Sequence, residues 1–265
     1  MKKIPFSKYQ GAGNDFVMID NRSGFFPKAN QQLIEWICKR RFGVGADGLI
    51  LLEEADGYDF RMVYYNSDGR ESSMCGNGGR CIAAFARELD LSRKDRLSFI
   101  AIDGPHEAIL NVDGTVSLHM SDVEEVEVGE DYFLLNTGSP HYVVFVEDLR
   151  DINVVESARV IRYSDRFRKE GVNVNFVKPL DDGLKVYTYE RGVEDETLAC
   201  GTGVTAAALA AAIRNSGLSK GEFPIEAKGG KLKVSFEKDT GGHFKNIWLT
   251  GPAVKVFGGV VMVDY

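Results

Sequence analysis

Met74-Cys75-Gly76-Asn77-Gly78 and Ala199-Cys200-Gly201-Thr202-Gly203 are two versions of one pattern, a cysteine followed by a glycine-rich turn. The alanine-rich residues behind them, 79–89 and 202–214, are predicted to be helices. A thiol placed just before a helix gains backbone N–H donors and the positive end of the helix dipole, and both lower its pKa. One such thiol indicates a nucleophile, whereas two matched thiols indicate a proton carrier on each face of a substrate.

The two cysteine segments belong to a repeat that extends through the chain. Cys75 and Cys200 are 125 residues apart, and three other landmarks recur at offsets of 124 to 128 residues. Four landmarks with nearly one offset indicate two copies of one folding unit. The three other pairs are Gly13-Asn14-Asp15-Phe16-Val17 with Gly138-Ser139-Pro140-His141-Tyr142-Val143, Gly43-Val44-Gly45-Ala46-Asp47 with Gly171-Val172-Asn173-Val174-Asn175, and residues 60–65 with 184–189.

Composition restricts the class of protein. The 265 residues are 44% apolar and 27% charged, as in a globular protein with a real core, and the length suits two modest domains. The net charge of −7 argues against a nucleic-acid surface. MKKIPFSKYQ lacks the apolar region of a signal peptide, and no apolar run approaches the ~18 residues of a membrane helix. We therefore expect a cytoplasmic protein with no nucleic-acid or membrane partner.

The four cysteines do not form a disulfide scaffold in a chain of this length, and their spacing gives no zinc pattern, so no metal is predicted. Cys38 lies on the apolar stripe of a predicted helix, and Cys81 follows Cys75 by six residues. Both are interpreted as packing residues, because free cysteines are among the most buried residue types.

Strands dominate the predicted secondary structure, with period-two alternation or β-branched residues between Gly, Asp or Pro. One further helix precedes the cysteine helix in each half, at 30–42 and at 153–163. The predicted fold class is therefore α+β. Each alanine-rich helix lacks a polar face and is expected to lie at the centre of its own strands. The predicted strands are 16–20, 49–53, 60–65, 97–102, 108–112, 116–119, 142–146, 174–177, 184–189, 231–236, 246–249 and 254–256.

The two thiols suggest inversion at a carbon next to a carboxylate. A carboxylate between two helix N-termini would be held by backbone amides, and the glycines let the backbone approach it closely. One cysteine, as thiolate, would take the proton, and the other would deliver one from the opposite side. The same amides would stabilise the carbanion or enediolate, so no cofactor is required.

Other polar residues occur at matching loop positions. His141 and Glu190 are candidates for tuning the thiol pKa, which is about 8.5 in a free cysteine. Arg191 offers a bidentate fork for a carboxylate, and asparagines supply donors and an acceptor. Together they suit a small zwitterion with more than one carboxylate. The asparagines are Asn14, Asn66, Asn77 and Asn173.

In these residues the chain resembles the diaminopimelate epimerases, nearly from end to end. The ordered set of motifs carries the resemblance. The motifs are Gly11-Ala12-Gly13-Asn14-Asp15-Phe16, Gly43-Val44-Gly45-Ala46-Asp47, Asn66-Ser67-Asp68-Gly69, Cys75-Gly76-Asn77-Gly78, Gly138-Ser139-Pro140-His141, Tyr189-Glu190-Arg191-Gly192, Ala199-Cys200-Gly201-Thr202-Gly203 and Gly251-Pro252-Ala253.

The resemblance implies epimerisation of LL-diaminopimelate to the meso isomer without pyridoxal phosphate, in lysine and peptidoglycan precursor synthesis. It implies two similar domains, residues 1–119 with 252–265 and residues 120–251, each a barrel-like set of strands around a central helix. The active site would lie in the interdomain cleft, and the protein would be a possible homodimer.

It also implies roles for single residues. Cys75 and Cys200 match the acid/base pair, with Cys75 the donor and Cys200 the acceptor in one direction. His141 and Glu190 match residues that modulate the thiols. Positions that match substrate contacts are Gly76, Asn77, Gly201 and Thr202 at the reacting centre, and Asn14, Asn66, Asn173, Glu190 and Arg191 elsewhere.

Three positions depart from the family pattern. Gly48 stands where some members carry a substrate-contacting glutamine, and Ser139 where some carry an asparagine that holds the distal carboxylate. Phe257 stands where some carry a tyrosine linked to dimer formation.

Two alternatives remain at this stage. Proline and hydroxyproline racemases share the two-cysteine architecture, but they tend to have Cys-Gly-His-Gly where this chain has Cys75-Gly76-Asn77-Gly78. A non-catalytic thiol redox protein would instead cycle the two cysteines through a disulfide.

Overall fold

A computed structural model describes residues 1–215 and 218–263. The chain divides into two compact units. Unit 1 is Met1–Leu118 with Gly251–Tyr265, of which residues 264 and 265 lie outside the described part, and unit 2 is His119–Thr250. The expected boundaries fell at residues 119 and 251.

Unit 1 is built on one mostly antiparallel set of strands. Hydrogen-bonded neighbours follow the order β18-β1-β2-β3-β4-β6-β7-β8, and β5 pairs with β4. The β2–β3 and β4–β6 pairs are parallel, and the others are antiparallel. The strands are β1 (Lys2–Gly11), β2 (Asn14–Asp20), β3 (Gly48–Glu53), β4 (Phe60–Asn66), β5 (Glu71–Ser72), β6 (Arg96–Ala101), β7 (Gly104–Leu110), β8 (Val116–His119) and β18 (Val254–Val263).

Unit 2 has the same plan. Its order is β9-β10-β11-β12-β13-β15-β16-β17, with β14 paired to β13 and parallel pairs at β11–β12 and β13–β15. The strands are β9 (Val126–Val128), β10 (Phe133–Asn136), β11 (Pro140–Phe145), β12 (Asn173–Leu180), β13 (Gly183–Glu190), β14 (Asp195–Thr197), β15 (Lys220–Ala227), β16 (Gly230–Lys238) and β17 (Phe244–Gly251).

The two orders match strand for strand, which confirms the repeat and the α+β class. Each parallel pair needs a crossover, and a helix supplies it in the same place in both units. Within the described residues the α-helices are α1 (Gln31–Cys38) and α2 (Gly76–Glu88) in unit 1, and α3 (Val154–Arg162) and α4 (Gly201–Arg214) in unit 2.

The alanine-rich helices are central, as predicted. α2 contacts β1, β2, β3, β4 and β7, and α4 contacts β10 to β13 together with β15 and β16. Eleven of the fourteen residues of α4 are buried, so the helix carries almost no polar face. No helix in residues 1–215 and 218–263 combines the length and the apolar character needed to span a membrane.

Several element boundaries differ from the prediction. The helix expected at 30–42 ends at Cys38, because the chain then folds back so tightly that a Cβ on Gly43 would lie 2.1 Å from the Trp36 carbonyl oxygen. α2 begins three residues before the predicted start, since Gly76 to Gly78 form its first turn rather than a loop.

The prediction missed seven strands in whole or in large part: β1, β5, β9, β10, β14, β15 and most of β18. β1 is polar and contains Pro5, but it pairs with β18 along its length and with β2 only from Ser7 onward, so Pro5 faces no β2 partner. Cys38 and Cys81 are core residues, 2% and 0% exposed, which confirms their assignment to packing.

Candidate active site

The two cysteines occupy the same position in equivalent helices. Cys75 is the N-cap residue of α2 and Cys200 that of α4, both with extended backbones. The Cys75 carbonyl accepts from Gly79 N at 2.7 Å, and the Cys200 carbonyl accepts from Val204 N at 3.0 Å. Both are free thiols; Cys75 is half-buried and Cys200 is 8% exposed. The sequence prediction of a thiol at the start of each helix is therefore confirmed.

Each helix start can hold an anion. The first N–H groups of a helix have no partner within it, and the dipole adds about half a positive charge there. In α2 these donors belong to Gly76, Asn77 and Gly78, and in α4 to Gly201, Thr202 and Gly203. The predicted carboxylate-binding residues Gly76, Asn77, Gly201 and Thr202 thus lie in the first turn after a cysteine.

In unit 1 a fixed amide faces the Cys75 sulfur. Ala12 and Gly13 both have positive φ, as a two-residue type I′ hairpin requires, and this turn places Asn14 at the start of β2. Asn14 Nδ2 donates to Asp47 Oδ2 at 2.7 Å, which leaves Asn14 Oδ1 as the atom 3.6 Å from Cys75 Sγ. Since that oxygen can only accept, it favours the protonated thiol of Cys75.

Arg80 lies fully buried beneath the same helix turn, and the sequence prediction missed it. Its guanidinium donates to Asn77 Oδ1 at 2.8 Å, to the Gly76 carbonyl at 3.2 Å and to the Pro252 carbonyl at 3.4 Å. Burial lowers the pKa of Arg80, while the nearby Cys81 and Cys75 thiols act to raise it. The helix contains two arginines, Arg80 and Arg87, and nothing in the local sequence distinguishes the buried Arg80 from the exposed Arg87.

In unit 2 a hydroxyl faces the Cys200 sulfur. Thr202 Oγ1 lies 3.3 Å from Cys200 Sγ and 2.8 Å from His141 Nε2. His141 therefore reaches the sulfur through Thr202 rather than directly. Thr137 Oγ1 donates to the Thr202 carbonyl at 2.8 Å and holds this turn against the β10–β11 loop.

The imidazole of His141 is neutral at pH 7. The side chain is 0% exposed, and burial lowers its pKa to about 3, helped by the positive charge of Arg191. A neutral ring has one donor and one acceptor nitrogen, so it can order the proton positions of its neighbours. Its predicted role in tuning the thiols stays a prediction.

Burial of His141 predicts acid sensitivity of the fold. In the unfolded chain His141 binds a proton near pH 6.5, whereas in the native state it binds one only near pH 3. The free energy of unfolding therefore falls as the pH falls through this range. Between pH 6.5 and 5 the loss should be about 2 kcal/mol for this one group. Guanidinium denaturation of the wild type and of His141→Gln measures it: the variant should lose the dependence, and an equal pH slope in both proteins would contradict the assignment.

Two of the predicted substrate contacts, Asn173 and Arg191, lie together with Ser139 where β11 and β12 begin and β13 ends. Asn173 Nδ2 donates to Ser139 Oγ at 2.9 Å and to the Pro140 carbonyl at 3.0 Å, and Asn173 Oδ1 accepts from Arg191 N at 2.8 Å. Arg191 Nη1 donates to the Glu170 carbonyl at 2.8 Å, and Nη2 lies 3.4 Å from Ser139 Oγ. Ser139, one of the departures from the family pattern, therefore links Asn173 to Arg191.

The remaining predicted residues lie at strand ends. Gly48 pairs with Asn66 across β3 and β4, and a Cβ at Gly48 would lie 2.5 Å from Tyr64 Cε2, so the Tyr64 ring fills the space of a side chain there. Asn66 is exposed, and its backbone closes a turn with Arg70 and Gly69. Glu190 ends β13, and its carbonyl accepts from Glu194 N at 2.8 Å.

Replacing the glycine at the third position of the cysteine helix by alanine should have different effects on stability in the two units. A Cβ on Gly203 would lie 2.4 Å from Asn175 Oδ1, which is locked by hydrogen bonds, whereas a Cβ on the equivalent Gly78 would lie 3.0 Å from the mobile end of Ile50. Gly203→Ala should cost about 1–3 kcal/mol in unfolding free energy through overpacking. Gly78→Ala is the matched control and should be near neutral, because the helix gains about 1 kcal/mol from alanine. Equal costs in thermal or chemical unfolding would refute the close contact.

Comparison with known proteins gives consistent results. The diaminopimelate epimerase family model matches residues 6–126 and 133–256. A diaminopimelate epimerase of Flavobacterium psychrophilum is 52% identical over 251 residues, covering 94% of this chain and 97% of that protein. One of Aquifex aeolicus is 38% identical and covers 97% of each chain.

Solved structures share the fold at low identity. A Bacillus anthracis phenazine biosynthesis protein of the PhzF family has a TM-score of 0.79 at 17% identity, covering 99% of this chain and all of that one. A hydroxyproline epimerase from Agrobacterium vitis has a TM-score of 0.70 at 14% identity, covering 99% of this chain and 93% of its own. At such identities the likeness concerns the fold alone.

Proposed function

This chain belongs to the diaminopimelate epimerase family, and from that premise we propose that it interconverts LL-2,6-diaminopimelate and meso-diaminopimelate. The observation that carries the proposal is the matched pair of thiols, each at the N-cap of a central helix in one copy of the repeat. The reaction is an isomerisation, and its product serves lysine and peptidoglycan precursor synthesis. Family membership favours this activity over a proline racemase or a redox protein.

The proposed chemistry uses the two cysteines as base and acid. Cys200, as thiolate, removes the α-proton of the LL substrate, and Cys75, as thiol, returns a proton to the opposite face of the same carbon. In the reverse direction the roles exchange. The substrate's α-carboxylate accepts from the backbone N–H groups of Gly76, Asn77, Gly201 and Thr202, and these donors stabilise the charge that develops when the proton leaves. This electrostatic stabilisation replaces an electron-sink cofactor.

The contacts around each sulfur support this direction of transfer. The Asn14 oxygen near Cys75 accepts a hydrogen bond and so suits a thiol. The Thr202 hydroxyl near Cys200 can donate one and so suits a thiolate. Glu190 and His141 are proposed to modulate the two thiol pKa values.

The distant end of the substrate carries a second carboxylate and amine. We propose that Arg191 binds that carboxylate. Asn173 holds the Arg191 backbone N–H, and Ser139 and the Glu170 carbonyl hold its guanidinium. Asn14, Asn66 and Glu190 would contact the remaining polar groups.

The test is direct turnover with defined substrates. Purified protein should form meso-diaminopimelate from the LL isomer without added pyridoxal phosphate, as separated by chiral chromatography, and should leave L-proline and trans-4-hydroxy-L-proline unchanged. Turnover of proline without turnover of diaminopimelate would contradict the proposal and favour a proline racemase.

We further propose a cytoplasmic homodimer. Free cysteines suit a reducing compartment. β18 exposes five large apolar side chains, an unusual surface for a strand at a sheet edge, and a second copy would cover it. Sedimentation equilibrium should give twice the monomer mass of 29.3 kDa. The exposed residues are Val254, Val256, Phe257, Val260 and Met262.

A further inference from the structure

We propose that Asn175 is a positioning residue that fixes the tautomer of His141 and thereby aims the Thr202 hydroxyl hydrogen at Cys200 Sγ. The inference deepens the proposed function, because it explains why Cys200 rather than Cys75 would start as the base. Nothing in the sequence prediction assigned a role to Asn175 or to its partner Thr188.

The orientation of the Asn175 amide follows from its other contacts. Asn175 Nδ2 lies 3.3 Å from the Tyr142 carbonyl, which can only accept, so the nitrogen must face it. Asn175 Oδ1 accepts from Thr188 Oγ1 at 2.9 Å, directly across β12 and β13. Both ends of the amide are therefore fixed, and its second hydrogen points at His141 Nδ1, 3.0 Å away.

This donor determines where the His141 proton lies. A nitrogen that accepts from Asn175 carries no hydrogen, so in the neutral ring the hydrogen is on Nε2. Nε2 then donates to Thr202 Oγ1 at 2.8 Å. Asn173 Nδ2 also lies 3.5 Å from Nε2, but it has nearer acceptors in Ser139 Oγ and the Pro140 carbonyl.

The hydroxyl completes the chain of hydrogen bonds. Thr202 Oγ1 accepts from His141, so its own hydrogen is available for Cys200 Sγ at 3.3 Å. A hydrogen bond donated to sulfur stabilises the thiolate and lowers the thiol pKa. The opposite tautomer would draw the Thr202 hydrogen toward His141 Nε2 and leave the sulfur without this donor.

Burial makes the arrangement rigid. His141 and Asn175 are 0% exposed and Thr188 is 3% exposed, so no bulk water competes for these bonds. Arg191 is the charged neighbour that acts on His141, and its positive charge also disfavours a second proton on the ring.

Unit 1 lacks this chain of hydrogen bonds at the equivalent positions. The strand registers align His141 with Phe16, Asn175 with Ile50 and Thr188 with Tyr64. The group near Cys75 is instead the accepting oxygen of Asn14. The chain through an imidazole is therefore found beside Cys200, whereas the amides of Asn14 and Asn77 lie on the Cys75 side, and this difference separates the two thiols in proton affinity.

Thiol pKa values test the proposal without turnover. The rate of iodoacetamide alkylation is measured against pH, with mass spectrometry to identify the alkylated cysteine, and the midpoint of the curve gives the thiol pKa. The Cys200 midpoint is measured in a Cys75→Ser background, and the Cys75 midpoint in a Cys200→Ser background. Cys38 and Cys81 should stay silent, because burial raises the pKa of each to about 12. Asn175→Leu should raise the midpoint of Cys200 by about one pH unit, a tenfold loss of thiolate at neutral pH, and leave Cys75 unchanged.

Thr188→Val covers the case in which Asn175→Leu does not fold. It removes only the hydroxyl that holds Asn175 Oδ1 and should move the Cys200 midpoint in the same direction by a smaller amount. Thr205→Val is the matched control: Thr205 is buried like Thr188, but it lies on α4 and its hydroxyl donates to the Gly201 carbonyl at 2.9 Å. It should move neither midpoint. An unshifted Cys200 in Thr188→Val, or equal shifts of both cysteines, would overturn the proposal.

Nitrogen-15 NMR of labelled histidine gives a second, independent reading. In the wild type at pH 7 the His141 signals should be those of a neutral ring protonated on Nε2, identified by their absence in His141→Gln. A ring protonated on Nδ1, or a cation, would refute the inference. Both measurements remain decisive if diaminopimelate is not the substrate, so failure here is distinct from failure of the proposed function.

Discussion

Replacing either Cys75 or Cys200 by alanine is expected to abolish epimerisation in both directions. A positioned acid or base contributes about 10²–10⁴-fold to the rate, and here each direction needs both. The variants should fold, since neither cysteine side chain makes a helix-capping hydrogen bond. Chiral chromatography of LL and meso substrate, with circular dichroism as a check on folding, measures the result.

Cys81→Ala is the matched control for this prediction. Cys81 lies on the same helix as Cys75 but is 0% exposed in the core. Its replacement should lower stability while leaving turnover within a few-fold of wild type. A Cys75→Ala or Cys200→Ala protein that retained a tenth of the activity would remove that cysteine from the proposed chemistry.

Arg191→Met is expected to raise the KM for diaminopimelate by about 10–100-fold. A charge-assisted hydrogen bond contributes about 1.5–3 kcal/mol, and each 1.4 kcal/mol is a factor of ten in binding. Because the distant carboxylate does not react, kcat should fall less than KM rises. Arg191→Lys should recover only part of the loss, since an ammonium lacks the planar fork.

Arg166→Met provides the comparison for Arg191. Arg166 belongs to the same unit, pairs with Glu127 at 2.6 Å and stacks on Phe167, and neither of these partners is a predicted site residue. Steady-state kinetics should show no change in KM for it. A similar KM in Arg191→Met and wild type would exclude Arg191 from substrate binding.

The sequence was most informative where the repeat and the periodicity agreed. The positions of the two cysteines before helices, the central place of those helices and the two-unit plan were all predictable. The helices were predicted to be central because an alanine-rich helix without a polar face is usually buried. The first turn of α2 was missed, since Gly76-Asn77-Gly78 is typical of a loop until the helix packs around it. β1 was missed for a similar reason: its pairing with β18 joins residues almost a whole chain length apart.

The surroundings of the thiols were harder to predict. His141 was named as a modulator, but its route to sulfur through Thr202 depends on a loop contact, and the role of Asn175 depends on its pairing across β12 and β13. Neither the loop contact nor the strand pairing can be recognised from the local sequence. Arg80 was overlooked because the carbonyls that satisfy its charge, at Gly76 and Pro252, include one 172 residues away.

Solvent isotope exchange tests the two-base account most directly. LL-diaminopimelate is incubated with the enzyme in D2O, and product and residual substrate are analysed by mass spectrometry after a small fraction of turnover. With two thiols acting from opposite faces, the meso product should carry one solvent deuterium at an α-carbon while the residual LL substrate carries almost none. Deuterium in the residual substrate at the level of the product, or product without deuterium, would contradict it.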